Sequence, residues 1–247
     1  MFNHGIIEKS TPLMLLLILL SMLIGGMVQI IPLFKVESTI EPVSGMRPYS
    51  PLELVGRNIY MREGCYNCHS QQVRPFRDEV DRYGHYSLAA EGIYDYPFLW
   101  GSKRTGPDLA RVGGKYSNEW HAAHLRNPQA VLPESIMPDY AFLDRPLDYD
   151  DIELHLNTLQ FIGVPYDETD IASARDDIVA QAFPEVGDST AMRERYHRAP
   201  LGPFSGNADG EVSEMDALIA YLQVLGTLVD FTSFDPETML QGQEVGR

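Results

Sequence analysis

At 247 residues the chain has room for one large domain or a small one with extensions, and its 44% apolar content is that of a globular rather than a disordered protein. The formal net charge of −16 has one location: residues 1–34 and 35–138 are each neutral, while residues 139–247 hold 22 acidic against 6 basic groups, with no Lys after Lys115. That bias weighs against nucleic acid, which needs Lys and Arg to displace phosphate counterions, and leaves a solvated acidic surface or a face that steers a basic partner protein.

Pro12 to Phe34 (PLMLLLILLSMLIGGMVQIIPLF) contains no charged residue and is bracketed by Lys9 and Lys35. As a helix it would reach about 34 Å, enough to span a hydrocarbon core of about 30 Å. A cleaved signal peptide has a shorter apolar region and ends in a small-x-small site. Here the run continues through Ile30, Ile31 and Leu33, which favours an uncleaved anchor. One Lys on each side leaves orientation open.

Ser50-Pro51-Leu52-Glu53 predicts a helix start, with Ser as N-cap, Pro at the first position and Glu three residues on. The helix should run to about Glu63, with Gly56 and Tyr60 on one face. The only two cysteines follow, in Cys65-Tyr66-Asn67-Cys68-His69. This is C-x-x-C-H, the c-type haem attachment pattern. Two thiols three residues apart each add to one haem vinyl group, and the adjacent His is then forced under the iron as proximal ligand. A thioredoxin-like pair would not require that His, and a zinc site would need more ligands nearby. Haem is attached to such motifs on the outer face of the bacterial inner membrane. The expected organisation is therefore a cytoplasmic N-terminus (1–11), a transmembrane helix (12–34), a linker (35–49), a periplasmic monohaem cytochrome c domain (50–229) and a C-terminal tail (230–247). With both cysteines on haem, no disulfide is available.

Between Val73 and Trp100 the chain is rich in aromatics. Tyr83, Tyr86, Tyr94, Tyr96, Phe98 and Trp100 suit either a docking surface or the packing of the segment itself. In Thr105-Gly106-Pro107-Asp108-Leu109, the Pro107 carbonyl is suited to hold the Nδ1–H of His69, and Gly106 lets the backbone approach. Lys103, Arg104 and Arg111 are candidates for the haem propionates, or surface charges. His121 and His124 sit three apart on a predicted helix face and read as polar surface residues ahead of axial ligands. Among ten methionines, Met137 is best placed as the second axial ligand, in Leu132-Pro133-Glu134-Ser135-Ile136-Met137-Pro138, because flanking prolines fix an extended loop. Val212 to Asp216 opens a last amphipathic helix that stops at Gly226, and Gly56 should face Tyr221 where the first and last helices cross.

The stretches CYNCHSQQVRPFRDEVDRYGHYS, YDYPFLWGSKRTGPDLARVGGKYSNEWHAAHLRNP, PESIMPDY, GVPYDETDIA and EMDALIAYLQVLGT resemble the monohaem subunit (subunit II) of cbb3-type cytochrome c oxidases, from the anchor to about residue 229. Generic cytochromes c lack the segment from Gln71 to Lys103. The resemblance implies a mainly α fold: one transmembrane helix and a class I cytochrome c-like domain with insertions. It implies one covalent haem c on Cys65, Cys68, His69 and Met137, relaying electrons from a dihaem cytochrome c subunit to the b haem of the catalytic haem-copper subunit, where oxygen is reduced. A calcium ion near the subunit boundary is also implied, without assignable ligands. Residues 167–210 are longer than the resemblance leads one to expect.

A six-coordinate iron has no position for substrate, so the expected task is outer-sphere electron transfer. A free membrane-tethered shuttle and the small cytochrome subunit of a nitric oxide reductase share the anchor and the single motif. The long aromatic segment favours a permanent subunit.

Overall fold

In the computed structural model, which describes residues 4–34, 40, 43–206 and 210–231, the chain falls into two units, Met1–Glu41 and Pro42–Arg247. In the first, a single turn, α1 (Gly5–Glu8), precedes α2 (Thr11–Leu33). Pro12 stands in the first turn of α2, where a missing N–H costs nothing. The 23 residues of α2 correspond to about 34 Å. None of its side chains is buried and its mean hydropathy is 2.5, so it is long and apolar enough to cross a membrane.

The second unit is built around two capped helices. At the start of α3 (Pro51–Arg62), the Ser50 hydroxyl accepts from the Glu53 N–H and the Glu53 carboxylate accepts from the Ser50 N–H. Glu53 is fully buried, so its charge needs a partner. Arg47 supplies it through two hydrogen bonds of 2.7 and 2.9 Å. The expected linker thus packs into the domain from Arg47 onward. Ser213 and Asp216 cap α11 (Glu214–Val224) by the same reciprocal device. The two helices cross at Gly56, where a Cβ would lie 1.9 Å from the Ala217 carbonyl oxygen and 2.9 Å from Tyr221 Cβ. Only glycine permits that approach. Tyr221 stacks edge-on with Tyr49 and tilted on Tyr60, and its hydroxyl donates to Gln71.

The remaining elements wrap this crossing. They are α4 (Arg77–Tyr83), α5 (Asn118–Arg126), α6 (Pro128–Val131), a 3-10 turn at Ala141–Asp144, α7 (Ile152–Phe161), α8 (Glu168–Ala172), α9 (Ala174–Ala182) and α10 (Ser189–Arg195). No strand occurs among the described residues, so the mainly α expectation holds. The acidic segment from residue 167 onward is folded against α3. Ile178, Met192, Tyr196 and Phe204 are buried in the common core, Ser50 donates to Gln181, and Arg195 pairs with Asp177. Of the expected tail, Asp230 and Phe231 are described, and the Phe231 ring stacks on His85. Residues 232–247 lie outside the described ones.

Candidate haem-binding site

The motif follows α3 directly. Gly64, at φ 70°, turns the chain out of the helix, and Cys65–Asn67 forms a single 3-10 turn. The Cys65 carbonyl accepts from the N–H groups of Cys68 and His69, at 3.1 and 2.9 Å. Cys65 is half-buried, Cys68 is exposed, and the two thiols are not bonded to each other. Burial pushes the Cys65 thiol up to about 12, which keeps it a protonated thiol.

His69 is fixed by the loop after the insertion. Its Nδ1 lies 2.7 Å from the Pro107 carbonyl oxygen, a contact that requires the N–H on Nδ1 and leaves the Nε2 lone pair for a metal. A Cβ on Gly106 would meet the ring at 2.2 Å, so the loop holds the imidazole at a distance only glycine allows. Gly106 donates to the Cys68 carbonyl and Leu109 to that of Ser70, both at 2.9 Å. Asp108, buried, takes the Ser70 hydroxyl at 2.6 Å and the Gln72 N–H at 2.8 Å. The contact between the Pro107 carbonyl and His69 was anticipated from the haem-attachment motif. The part of Asp108 was not, because no motif points to its partners Ser70 and Gln72.

The arginines expected at the propionates are placed otherwise. Arg104 donates to both oxygens of Glu79, at 2.5 and 2.6 Å, and to Ser70 and Gln72. Arg111 clamps Glu91 at 2.5 and 2.8 Å and donates to the His85 and Tyr86 carbonyls. A third pair, Arg57–Asp95 at 2.9 Å, is buried on both sides. Burial raises the Asp95 carboxyl to about 6 even beside that arginine. Three carboxylates of the long aromatic segment therefore take three arginines of the haem domain. Arg104 and Arg111 would have to leave these partners to reach a propionate. Of the aromatics, Tyr96, Phe98 and Trp100 are exposed, with Phe98 stacked on Trp100 at 4.7 Å, while Tyr83, Tyr86 and Tyr94 are partly buried. The segment thus has both a packed and an open side.

Met137 lies on an extended stretch held from α5 and α6. The Gln129 amide donates to the Ser135 and Met137 carbonyls at 3.0 and 3.2 Å, and the Tyr140 N–H donates to the Leu125 carbonyl at 2.8 Å. Met137, Cys65, Leu109 and Tyr140 pack against the same core cluster. Tyr140, three residues on, is raised by burial and by the neighbouring Cys65 and Cys68, which brings this loop to the motif. His121 and His124 are not surface residues. The inner face of α5 turns towards α11, so His121 is 4% exposed and His124 half-buried. His121 is lowered to about 4 by burial, then by His124; His124 is lowered by burial, then by His69. Among the described residues, their buried ring nitrogens, His121 Nε2 and His124 Nδ1, have no hydrogen-bond partner, nor does the Tyr60 hydroxyl.

A family model described as Cytochrome C oxidase, mono-heme subunit/FixO matches residues 4–229. The chain belongs to this family. A search of curated proteins gives no match. As a mono-heme subunit of a cytochrome c oxidase, it is part of an electron-transporting oxidase complex with a haem cofactor. Its residues fit that group. A half-buried and an exposed thiol precede an imidazole whose free nitrogen is set by Pro107, and Gly106 leaves no room for a side chain beside that ring. Among the described residues no group of three or more His, Cys, Asp or Glu side chains is arranged to hold a metal ion, so the calcium expectation gains no ligands here.

Proposed function

We propose that the mono-heme subunit is the electron relay of a cbb3-type oxidase, taking electrons from a dihaem cytochrome c subunit and passing them to the b haem of the catalytic subunit. Oxygen reduction and proton translocation occur in that other subunit. The observation that carries this reading is the 2.7 Å contact between His69 Nδ1 and the Pro107 carbonyl, directly after two thiols at thioether spacing. When bound, the haem supplies a one-electron iron couple. Cys65 and Cys68 would hold it covalently, and His69 and the thioether of Met137, on its Gln129-braced loop, would ligate the iron. The Pro107 carbonyl raises the basicity of His69, and the soft Met137 sulfur favours the ferrous state. Were His69 and Met137 both to ligate the iron, no proton or substrate exchange would be required of these residues.

The α2 anchor keeps the domain at the bacterial inner membrane, N-terminus in the cytoplasm and haem domain in the periplasm. It replaces a diffusional encounter with a standing contact. Replacing Met137 with Leu should leave haem attached, abolish the far-red sulfur–iron absorption of the ferric state, lower the midpoint potential and slow oxygen uptake. Replacing His69 with Ala should abolish correctly assembled haem. An unchanged potential and far-red band in Met137→Leu would remove Met137 as ligand.

A further inference from the structure

Residues 154–165 carry no Asp, Glu, Lys or Arg, although they lie in the acidic half of the chain. They form most of α7 and the turn after it. Leu156 on this helix is fully buried, whereas Leu154 and Phe161, two turns apart on one face, point away from it and are 67% and 90% exposed. A second uncharged run, residues 96–102, exposes Tyr96, Phe98 and Trp100. Its backbone is tied down: Arg57 donates to the Pro97 carbonyl, and the Gln71 N–H to that of Trp100 at 2.7 Å. The two runs meet at a cavity of about 110 Å³ lined by Tyr96, by His155 and Leu159 of α7, and by Arg57 and Met61 of α3. A Cβ on Gly101 would lie 3.0 Å from the Tyr66 carbonyl oxygen and 3.2 Å from that of His69, so this surface begins beside the haem-attachment motif. Apolar side chains scattered singly need no explanation. An apolar surface shared by two elements and free of charge marks an interaction site, because charged groups are depleted from the core of protein interfaces. Membership of an oxidase complex supplies a standing protein neighbour. Charge then selects the covering. At the start of α7 stand Asp148, Asp150, Asp151 and Glu153, with Arg175 pairing Asp150 and Glu153. Such a rim repels anionic lipid headgroups and matches Lys or Arg on a protein.

Resting on the oxidase reading above, we propose that Leu154 and Phe161 of α7, with Tyr96, Phe98 and Trp100, form the face that docks a permanently bound subunit of the oxidase. That subunit presents an uncharged apolar surface edged by Lys or Arg, and docking sets it beside the haem-attachment motif. The test uses the tagged complex from gently solubilised membranes, with Phe98→Glu and Phe161→Glu. Val186→Glu, which alters an exposed apolar side chain on another segment, is the control. Haem attached to the tagged chain, subunit composition, b-type haem and copper are recorded. The expected result is attached haem in all three, with a copurifying subunit reduced about tenfold or more in Phe98→Glu and Phe161→Glu only, since each buries an unpaired charge. Complete complexes from both overturn the proposal, as does an equal loss in Val186→Glu. A second measurement needs no loss of assembly. Phe161→Cys should react with a maleimide much more slowly than Val186→Cys while the subunits stay together, and as fast once they are dissociated. Equal rates in the solubilised complex overturn the proposal and leave the face to lipid or water. A wild-type preparation without b-type haem or copper would instead sink the oxidase reading.

Discussion

Glu79 is 3% exposed, and its carboxylate is charged only because Arg104 and Arg74 surround it. The Arg104 hydrogen bonds, followed by those from Arg74, hold it at about 2 against an ordinary 4.5. A carboxyl depressed in the folded state adds stability above its unfolded value, and that stability is lost as pH falls through the folded value. Glu79→Gln should therefore destabilise the domain by about 1–3 kcal/mol at neutral pH, since it removes the buried charge that the partly exposed Arg104 and Arg74 guanidinium groups pair with. The difference from wild type should shrink as pH falls from about 4.5 towards 2. Denaturant midpoints across that range check this, and a pH-independent difference would show that packing rather than charge holds the segment. At Gly106 the prediction is steric. Gly106→Ala puts a methyl 2.2 Å from the His69 ring, so covalent haem per polypeptide should fall sharply while the helical signal of the chain persists.

At the scale of elements, Gly56 decides whether α3 and α11 can cross. A Cβ there meets the Ala217 carbonyl, a backbone atom that cannot swing away. Gly56→Ala should cost about 2–3 kcal/mol or more, seen as a lowered thermal midpoint, whereas Gly114→Ala, which meets open space at φ 70°, pays only backbone strain. Both crossing helices were legible from local chemistry. Ser50 with Glu53 and Ser213 with Asp216 are capping boxes readable at three-residue spacing, and Gly226 at φ 73° ends the last helix as expected. Elements α8 to α10 were not legible as core. Their buried residues, such as Ile178 and Met192, are separated by acidic positions, and the partners that explain them are distant, as with Gln181 and Ser50. The same limit applied within the site. His69, Pro107 and Gly106 could be read from the motif and a short loop, but the pairing of Arg104 with Glu79 and Arg111 with Glu91 is set by the fold of the insertion. A charge near a haem motif in sequence carries no information on which carboxylate it will meet. His121 was misread for a related reason, because one His in a polar stretch does not reveal that its helix face turns inward.

For the whole molecule, the charge asymmetry has two separable parts. Some acidic groups are internal partners, such as Asp177 to Arg195 and Glu214 to Arg62 and Arg145. Others, such as Asp150, stay exposed and weakly tied, which fits a solvated surface. The family match spans both the apolar helix α2 and the haem domain, so the two belong to one subunit, which we propose relays electrons inside an oxidase. The most direct measurement is a tagged purification from gently solubilised, active membranes, with absorption spectrum, copper content and oxygen uptake recorded on the product. The expected result is c-type and b-type haem, copper and oxygen reduction in one preparation, with uptake depressed by Met137→Leu. A product carrying c-type haem alone, without oxygen uptake, would contradict it.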